Sequence, residues 1–201
     1  MAPTLPDVTT LATLPEATLI SVLDLLFEPS EDLHTLAIPT LRSITFATYP
    51  ELIDTLRDQL LAIAQSVQSD SSARKPLLAI LGSHPRLGAK KVESAQSAAE
   101  QAQLQSGAES EAEKLAALNR EYEEKFPGLR YVVFVNGRSR DVIMEDMRRR
   151  IDRGDFAAEE KEAINAMADI AKDRAGKQEK ESNDSTVGRG AAQAFTMPQT
   201  S

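Results

Sequence analysis

The sequence predicts an all-α fold, a single-domain bundle of about eight helices. Three observations carry that prediction. Hydrophobic residues make up 41% of the 201 residues but aromatics only 4%, with no Trp, so the core is built from Leu, Ile, Val and Ala and favours helix packing. Apolar residues, mainly leucines up to residue 81 and mixed apolar residues beyond, recur at helical spacing in several stretches. Only one stretch, "LRYVVFVNG", reads as β-like.

Residues 1–14 are rich in Pro and Thr and read as an extended arm. After Pro15, "EATLISVLDLLF" places Leu19, Val22, Leu23 and Leu26 at helical spacing. "EPSEDLHTLAIPTLRSITFATYP" is a less regular helical stretch in which Pro39 predicts a kink or restart. "PELIDTLRDQLLAIAQSV" is the clearest helix, with Pro50 in its first turn and Leu52, Leu56, Leu60 and Ile63 on one face. The polar "SDSSARK" offers a cap before "PLLAILGSH". "GAKKVES" reads as a loop and "AQSAAEQAQLQ" as a helix. A long helix follows, with Leu115, Leu118, Tyr122 and Phe126 on one face, ended by Pro127-Gly128. Past the β-like run and its Asn-Gly turn, Ser139 caps "RDVIMEDMRRRI", and "DFAAEEKEAINAMADIAKDRAG" is the last helix. From 176 to 201 the apolar periodicity stops, so the helical domain is expected over 15–175 with a mobile C-terminal tail.

The totals exclude several functions. A net charge of −8 disfavours nucleic acid and anionic membranes as partners. The cluster Arg148, Arg149, Arg150 and Arg153 is flanked by Glu145, Asp146, Asp152 and Asp155 and has no aromatic platform for bases. Cysteine is absent, which removes disulfides, thiolate nucleophiles and thiolate metal sites. No His/Asp/Glu set has metal-ligand spacing, and no apolar run approaches the roughly 20 residues of a membrane helix. The N-terminal stretch lacks the pattern of a secretory signal. "GSHPRLGAKK" fails as a phosphate loop, because Ala89 follows Gly88 where a lysine is needed.

Three features suggest chemistry. His84 is one of two histidines, and Pro85 keeps its backbone out of a helix, at a break where its side chain can face a cleft. Arg86, Lys90 and Lys91 add a local positive field. The bland alternative is a structural histidine, the reading that suits His34 among its leucines. Ser97, Glu100 and Gln101 share one helix face, and the small residues Ala95, Ala98, Ala99 and Ala102 around them allow close approach. Their bland alternatives are a solvated face or a Ser-x-x-Glu capping box. Arg174 lies on the apolar side of the last helix with Ile164, Met167 and Ala171. It either snorkels at the helix end or clamps an anion in a shared cleft.

Taken in order, His84-Pro85-Arg86-Leu87, Ser97-Ala98-Ala99-Glu100-Gln101, the Leu118–Phe126 string "LNREYEEKF" and Val135-Asn136-Gly137-Arg138-Ser139 resemble the OHCU decarboxylase family of urate breakdown. The likeness spans roughly 16–175. It implies an all-helical homodimer that uses no cofactor and no metal. The implied reaction converts 2-oxo-4-hydroxy-4-carboxy-5-ureidoimidazoline to (S)-allantoin, in the cytoplasm or, in relatives that carry the signal, in the peroxisome. The C-terminal "PQTS" is not an SKL-type address. By position, His84 and Glu100 match the catalytic pair. Pro85, Ser97, Gln101 and Arg174 match substrate-binding residues, and Tyr131 and Val133 fall where the family offers backbone groups. Arg86 replaces the usual Asp, the loop between His84 and Ser97 is shorter, and "PGLRYVV" replaces "GFPFVI". The alternative from another class is a helical protein-interaction module whose His and Glu faces are merely surface.

Overall fold

The computed structural model describes residues 4–66, 74–88, 95–101 and 109–192, with the side chains at 95, 100, 101, 109, 110 and 181–192 outside that description. A 3-10 helix η1 (Val8–Thr13) precedes α1 (Glu16–Leu26), α2 (Glu31–Ser43), α3 (Tyr49–Ser66), α4 (Arg74–Leu81), α5 (Ala95–Gln101), α6 (Glu109–Lys125), α7 (Arg140–Arg153) and α8 (Phe156–Ala192). α8 is the axis of the bundle: α3 packs along it most extensively, and α1 and α4 join from the sides. α6 and α7 pair with each other, and α2 rests on α1, α4 and η1. The buried leucines of α1, α3 and α4 and Ile164, Met167, Ala168 and Ala171 of α8 form one continuous core.

The helix starts follow their caps. Ser30 accepts the Leu33 amide at 3.3 Å, Asp155 the Ala158 amide at 3.0 Å and Ser139 the Val142 amide at 3.5 Å. At α3, Thr48 accepts the Glu51 amide while Glu51 reaches back to the Ala47 amide at 2.8 Å, a reciprocal cap. Gly154 closes α7 in the left-handed region, φ 64°.

Four expectations change. The N-terminal arm is not extended: Asp7 caps η1 through the Thr9 amide, Val8 and Leu11 are buried, and Tyr49 donates to the Pro6 carbonyl at 2.8 Å. Two apolar residues one turn apart suffice to dock it. Pro39 does not restart α2, because Leu33, Ala37, Thr40 and Leu41 are buried on both sides of it and packing offsets the lost backbone bond. The β-like run 129–135 pairs with no strand among the described residues. Leu129, Tyr131, Val132 and Val135 are nevertheless buried, so its apolar character serves packing. Finally, the boundary expected at 175/176 falls inside α8, which continues to Ala192. Lys177, Gln178, Glu179 and Lys180 are good helix formers, and Lys177 pairs with Asp173 one turn back at 2.5 Å. The described side chains from Lys177 onward are exposed or half-exposed. The lost periodicity therefore marks where α8 stops packing, not where it stops. Cutting the chain after Gly176 would also remove Lys177, which lines a cavity beside His84.

No helix among the described residues is long and apolar enough to cross a membrane.

Candidate active site

α4 ends at Leu81, and the chain turns through Gly82 and Ser83 into His84-Pro85. That turn is held from two sides. Arg130 donates to the His84 carbonyl at 2.9 Å. Asn119 of α6 donates to the Leu87 carbonyl and to the Leu115 carbonyl one turn back, each at 3.0 Å. Gly88 sits at φ 74°, and a Cβ there would lie 2.6 Å from the Leu115 side chain, so only glycine lets the loop approach α6 so closely. The Leu-Asn-x-x-Tyr string thus acts as a scaffold: Asn119 fixes the histidine loop, and Tyr122 turns inward to donate to Glu159 at 2.6 Å.

His84 is only 4% exposed, and its Nε2 is buried with no hydrogen-bond partner among the described residues. Burial and then the nearby Arg174 charge push its pKa down to about 3, so the imidazole is neutral near pH 7. A neutral ring with an unused nitrogen can accept or donate one proton without first breaking an internal bond.

Behind His84 lies a buried polar cluster. Arg174 of α8 donates to the Phe27 carbonyl at 2.5 Å, to Glu28 at 2.9 Å and to the Ser97 hydroxyl at 3.0 Å. Ser97 in turn donates to Glu28 at 2.6 Å. All three side chains are buried. Arg174 therefore does not snorkel, and Ser97, inside α5, does not cap it. Arg174 reaches across the bundle to the end of α1.

A cavity of about 330 Å3 opens in front of this cluster. His84, Pro85, Leu87, Ser97 and Ala99 line one side, and the backbone run Tyr131–Gly137 the other; Asp173 and Lys177 stand on α8. The run is shaped by arginines. Arg150, buried on α7, donates to the Val132 carbonyl at 3.1 Å. Arg138 donates to the Phe134 carbonyl and to the Val135 carbonyl. Asn136 (φ 40°) and Gly137 (φ 74°) make the turn that brings Arg138 back onto the run. Tyr131 points away from the cavity, its hydroxyl donating to Asp146 at 2.6 Å.

The structure thus gathers His84, Pro85, Ser97, Tyr131 and Val133 around one cavity, with Arg174 directly behind. Glu100 and Gln101 lie on α5, the helix that carries Ser97; their side chains are outside the described residues. Arg86, expected to add positive field, instead turns outward to pair with Glu123 and is 52% exposed. With an acidic partner on α6 it is more stable in solvent than over a cleft. Lys90 and Lys91 lie outside the described residues. Glu28 was missed from sequence. The one signal was its position: a carboxylate directly after the apolar Leu25-Leu26-Phe27, where a solvent-facing acid is out of place. His34, read as structural, meets Asp24 at 2.6 Å away from this cavity. No cluster of three or more His, Cys, Asp or Glu suited to a metal occurs among the described residues.

The sequence profile described as OHCU decarboxylase matches residues 12–176. No curated protein matches the chain. Among solved structures, the crystal structure of an OHCU decarboxylase in the presence of (S)-allantoin superposes with a TM-score of 0.51 at 17% identity, covering 77% of this chain and 94% of that one. At that identity the likeness speaks for the helical fold.

Proposed function

The chain belongs to the OHCU decarboxylase family, and on that premise we propose how its cavity carries out the family's reaction, the decarboxylation of 2-oxo-4-hydroxy-4-carboxy-5-ureidoimidazoline to (S)-allantoin in urate degradation. The enzyme is a carboxy-lyase. The observation that supports the site assignment is the buried, unpartnered Nε2 of His84 on the cavity wall, beside Ser97 and in front of Arg174.

In this reading the substrate carboxylate lies toward the guanidinium of Arg174, which Glu28 and the Phe27 carbonyl hold in a fixed plane. Backbone groups of Tyr131 and Val133 and the side chain of Gln101 fix the ring, and Pro85 keeps the wall beside it rigid. The bond to CO2 breaks with its electron pair entering the ring. The ring hydroxyl becomes the product carbonyl as neutral His84 relays its proton, and the ring nitrogen that received the electron pair takes one proton from solvent, so one proton is consumed for each CO2 released. A proton then reaches the ring carbon from one face only, which sets the (S) configuration. Glu100, on the same helix as Ser97, holds or shuttles that proton with His84. Fixed dipoles in a largely buried site stabilise the developing charge, and no metal or organic cofactor takes part. The working unit is a homodimer in the cytoplasm or peroxisome; sedimentation of the purified chain tests its size.

The deciding experiment adds freshly generated substrate and follows optical rotation. Rapid appearance of dextrorotatory allantoin, faster than the spontaneous decay, supports the reading. A rate equal to the blank would leave only a helical interaction module. Glu100→Gln should abolish most of the acceleration; Glu93→Gln should not.

A further inference from the structure

Arg150 carries a charge that the chemistry at His84 does not need. It is 2% exposed, lies between the rings of Tyr131 (4.8 Å) and Tyr122 (5.9 Å), and donates from Nε to Glu159 at 2.8 Å. Glu162 at 3.2 Å and Asp146 at 3.9 Å complete its ion pairs, and its Nη1 donates to one backbone atom, the Val132 carbonyl, at 3.1 Å. Arg138, half-buried at the Asn-Gly turn, does the same for the Phe134 carbonyl. These carbonyls are two residues apart in a run without helix or turn, and Arg138 also donates from Nε to the next carbonyl, that of Val135, at 3.4 Å.

No peptide bond here is cis. In a trans peptide the carbonyl and the next amide point in opposite directions. Fixing the Val132 and Phe134 carbonyls on the arginine edge turns the amides of Val133 and Val135 to the opposite edge. Those amides donate to no acceptor among the described residues, and both residues line the cavity. An extended run with no partner strand otherwise has little to hold its rotation.

We propose that Arg150 and Arg138 are positioning residues: by gripping alternate carbonyls of the 131–135 run they aim the Val133 and Val135 amides into the cavity as a paired donor for an oxyanion or ring carbonyl of the substrate. This rests on the decarboxylase reading above and adds what orients its backbone donors. An arginine fork suits the task, since a lysine at 150 could still pair with Glu159 but could not also span to Val132.

The test uses the full chain with Arg150→Lys and Arg138→Met. Arg138 lies at the turn, so its variant keeps the fold even if the first does not. Each loses one grip, and KM should rise roughly five- to tenfold with kcat within about twofold, the scale of one lost hydrogen bond. Thermal midpoints, measured alongside, report any purely structural loss. In 15N-labelled wild type, (S)-allantoin should shift the Val133 and Val135 amide resonances, and in Arg138→Met the Val135 shift should shrink. If the wild type decarboxylates and both folded variants keep its KM, or its amides ignore allantoin, the inference falls and the functional reading stands. If allantoin shifts these amides but the wild type does not decarboxylate, the functional reading falls and takes the inference, which rests on it, with it. If the wild type neither binds nor decarboxylates, both fall.

Discussion

Among the described residues two buried Arg–Glu pairs cross this bundle, and they differ in what lies beside them. Arg174–Glu28 joins α8 to the end of α1 at 2.9 Å, and its third member, Ser97, lies on the wall of the cavity. Arg150–Glu159 joins α7 to α8 at 2.7 Å, packs against Tyr122 and Tyr131 and extends through Arg153 and Glu162 toward the surface, away from the cavity. The chemistry is the same, but the first pair borders space that water or a substrate can enter. A pair whose further partners are protein charges spends its field on them; a pair at a cavity wall can leave part of its field for a ligand. Position, rather than residue type, separates scaffold from site.

The contrast breaks most readily at Glu159. Removing it takes the closest carboxylate from buried Arg150 and leaves only the partly exposed Glu162 at 3.2 Å and Asp146 at 3.9 Å, so Glu159→Ala should cost about 3 kcal/mol of stability in denaturant titrations. Glu28→Ala should cost clearly less, because water from the cavity can solvate Arg174. Equal losses would mean that the cavity confers no such relief.

The next effect is on binding. Arg174→Ala should raise KM by an amount corresponding to about 2–4 kcal/mol, with a smaller loss of stability from the stranded Glu28. A variant that loses stability but keeps KM would place Arg174 with the Arg150–Glu159 pair.

His84→Asn should lower kcat roughly a hundredfold while the protein stays folded. It also has a pH signature. The folded-state pKa of about 3 lies below the ordinary 6.5, so the unfolded chain binds the proton more readily between those values. The stability that neutral His84 contributes is therefore complete above pH 6.5 and lost as pH falls toward 3. Melting curves of His84→Asn should be less acid-sensitive in that window than those of the wild type. Identical slopes would mean that His84 is not held neutral.

The smallest effect is expected at Arg86. Its ion pair with Glu123 is half in solvent, so Arg86→Ala should change stability by less than about 1 kcal/mol and leave kcat unaltered. A large loss of turnover would return Arg86 to the cavity.

Helix periodicity made most of the fold legible, because a leucine face must be buried whatever it packs against. The same logic identified Ser139 as a cap and Gly128 as a stop. It misjudged α8, since periodicity reports burial and a solvated helix leaves no such trace. It misjudged 129–135 too, because an apolar run looks alike whether a strand or an arginine satisfies its carbonyls.

The same division runs through the site. Residue types and their order marked His84, Ser97 and Arg174 as candidates for one site, and the proline after His84 kept its backbone out of a helix. Only the tertiary structure decided that Glu28 stands between Arg174 and Ser97, that Arg86 faces away, and that Arg130 and Asn119 hold the histidine loop. Those choices depend on contacts between residues 146, 69, 37, 46 and 32 positions apart in sequence. A local pattern fixes which face a side chain occupies, but not what the rest of the chain brings to meet it.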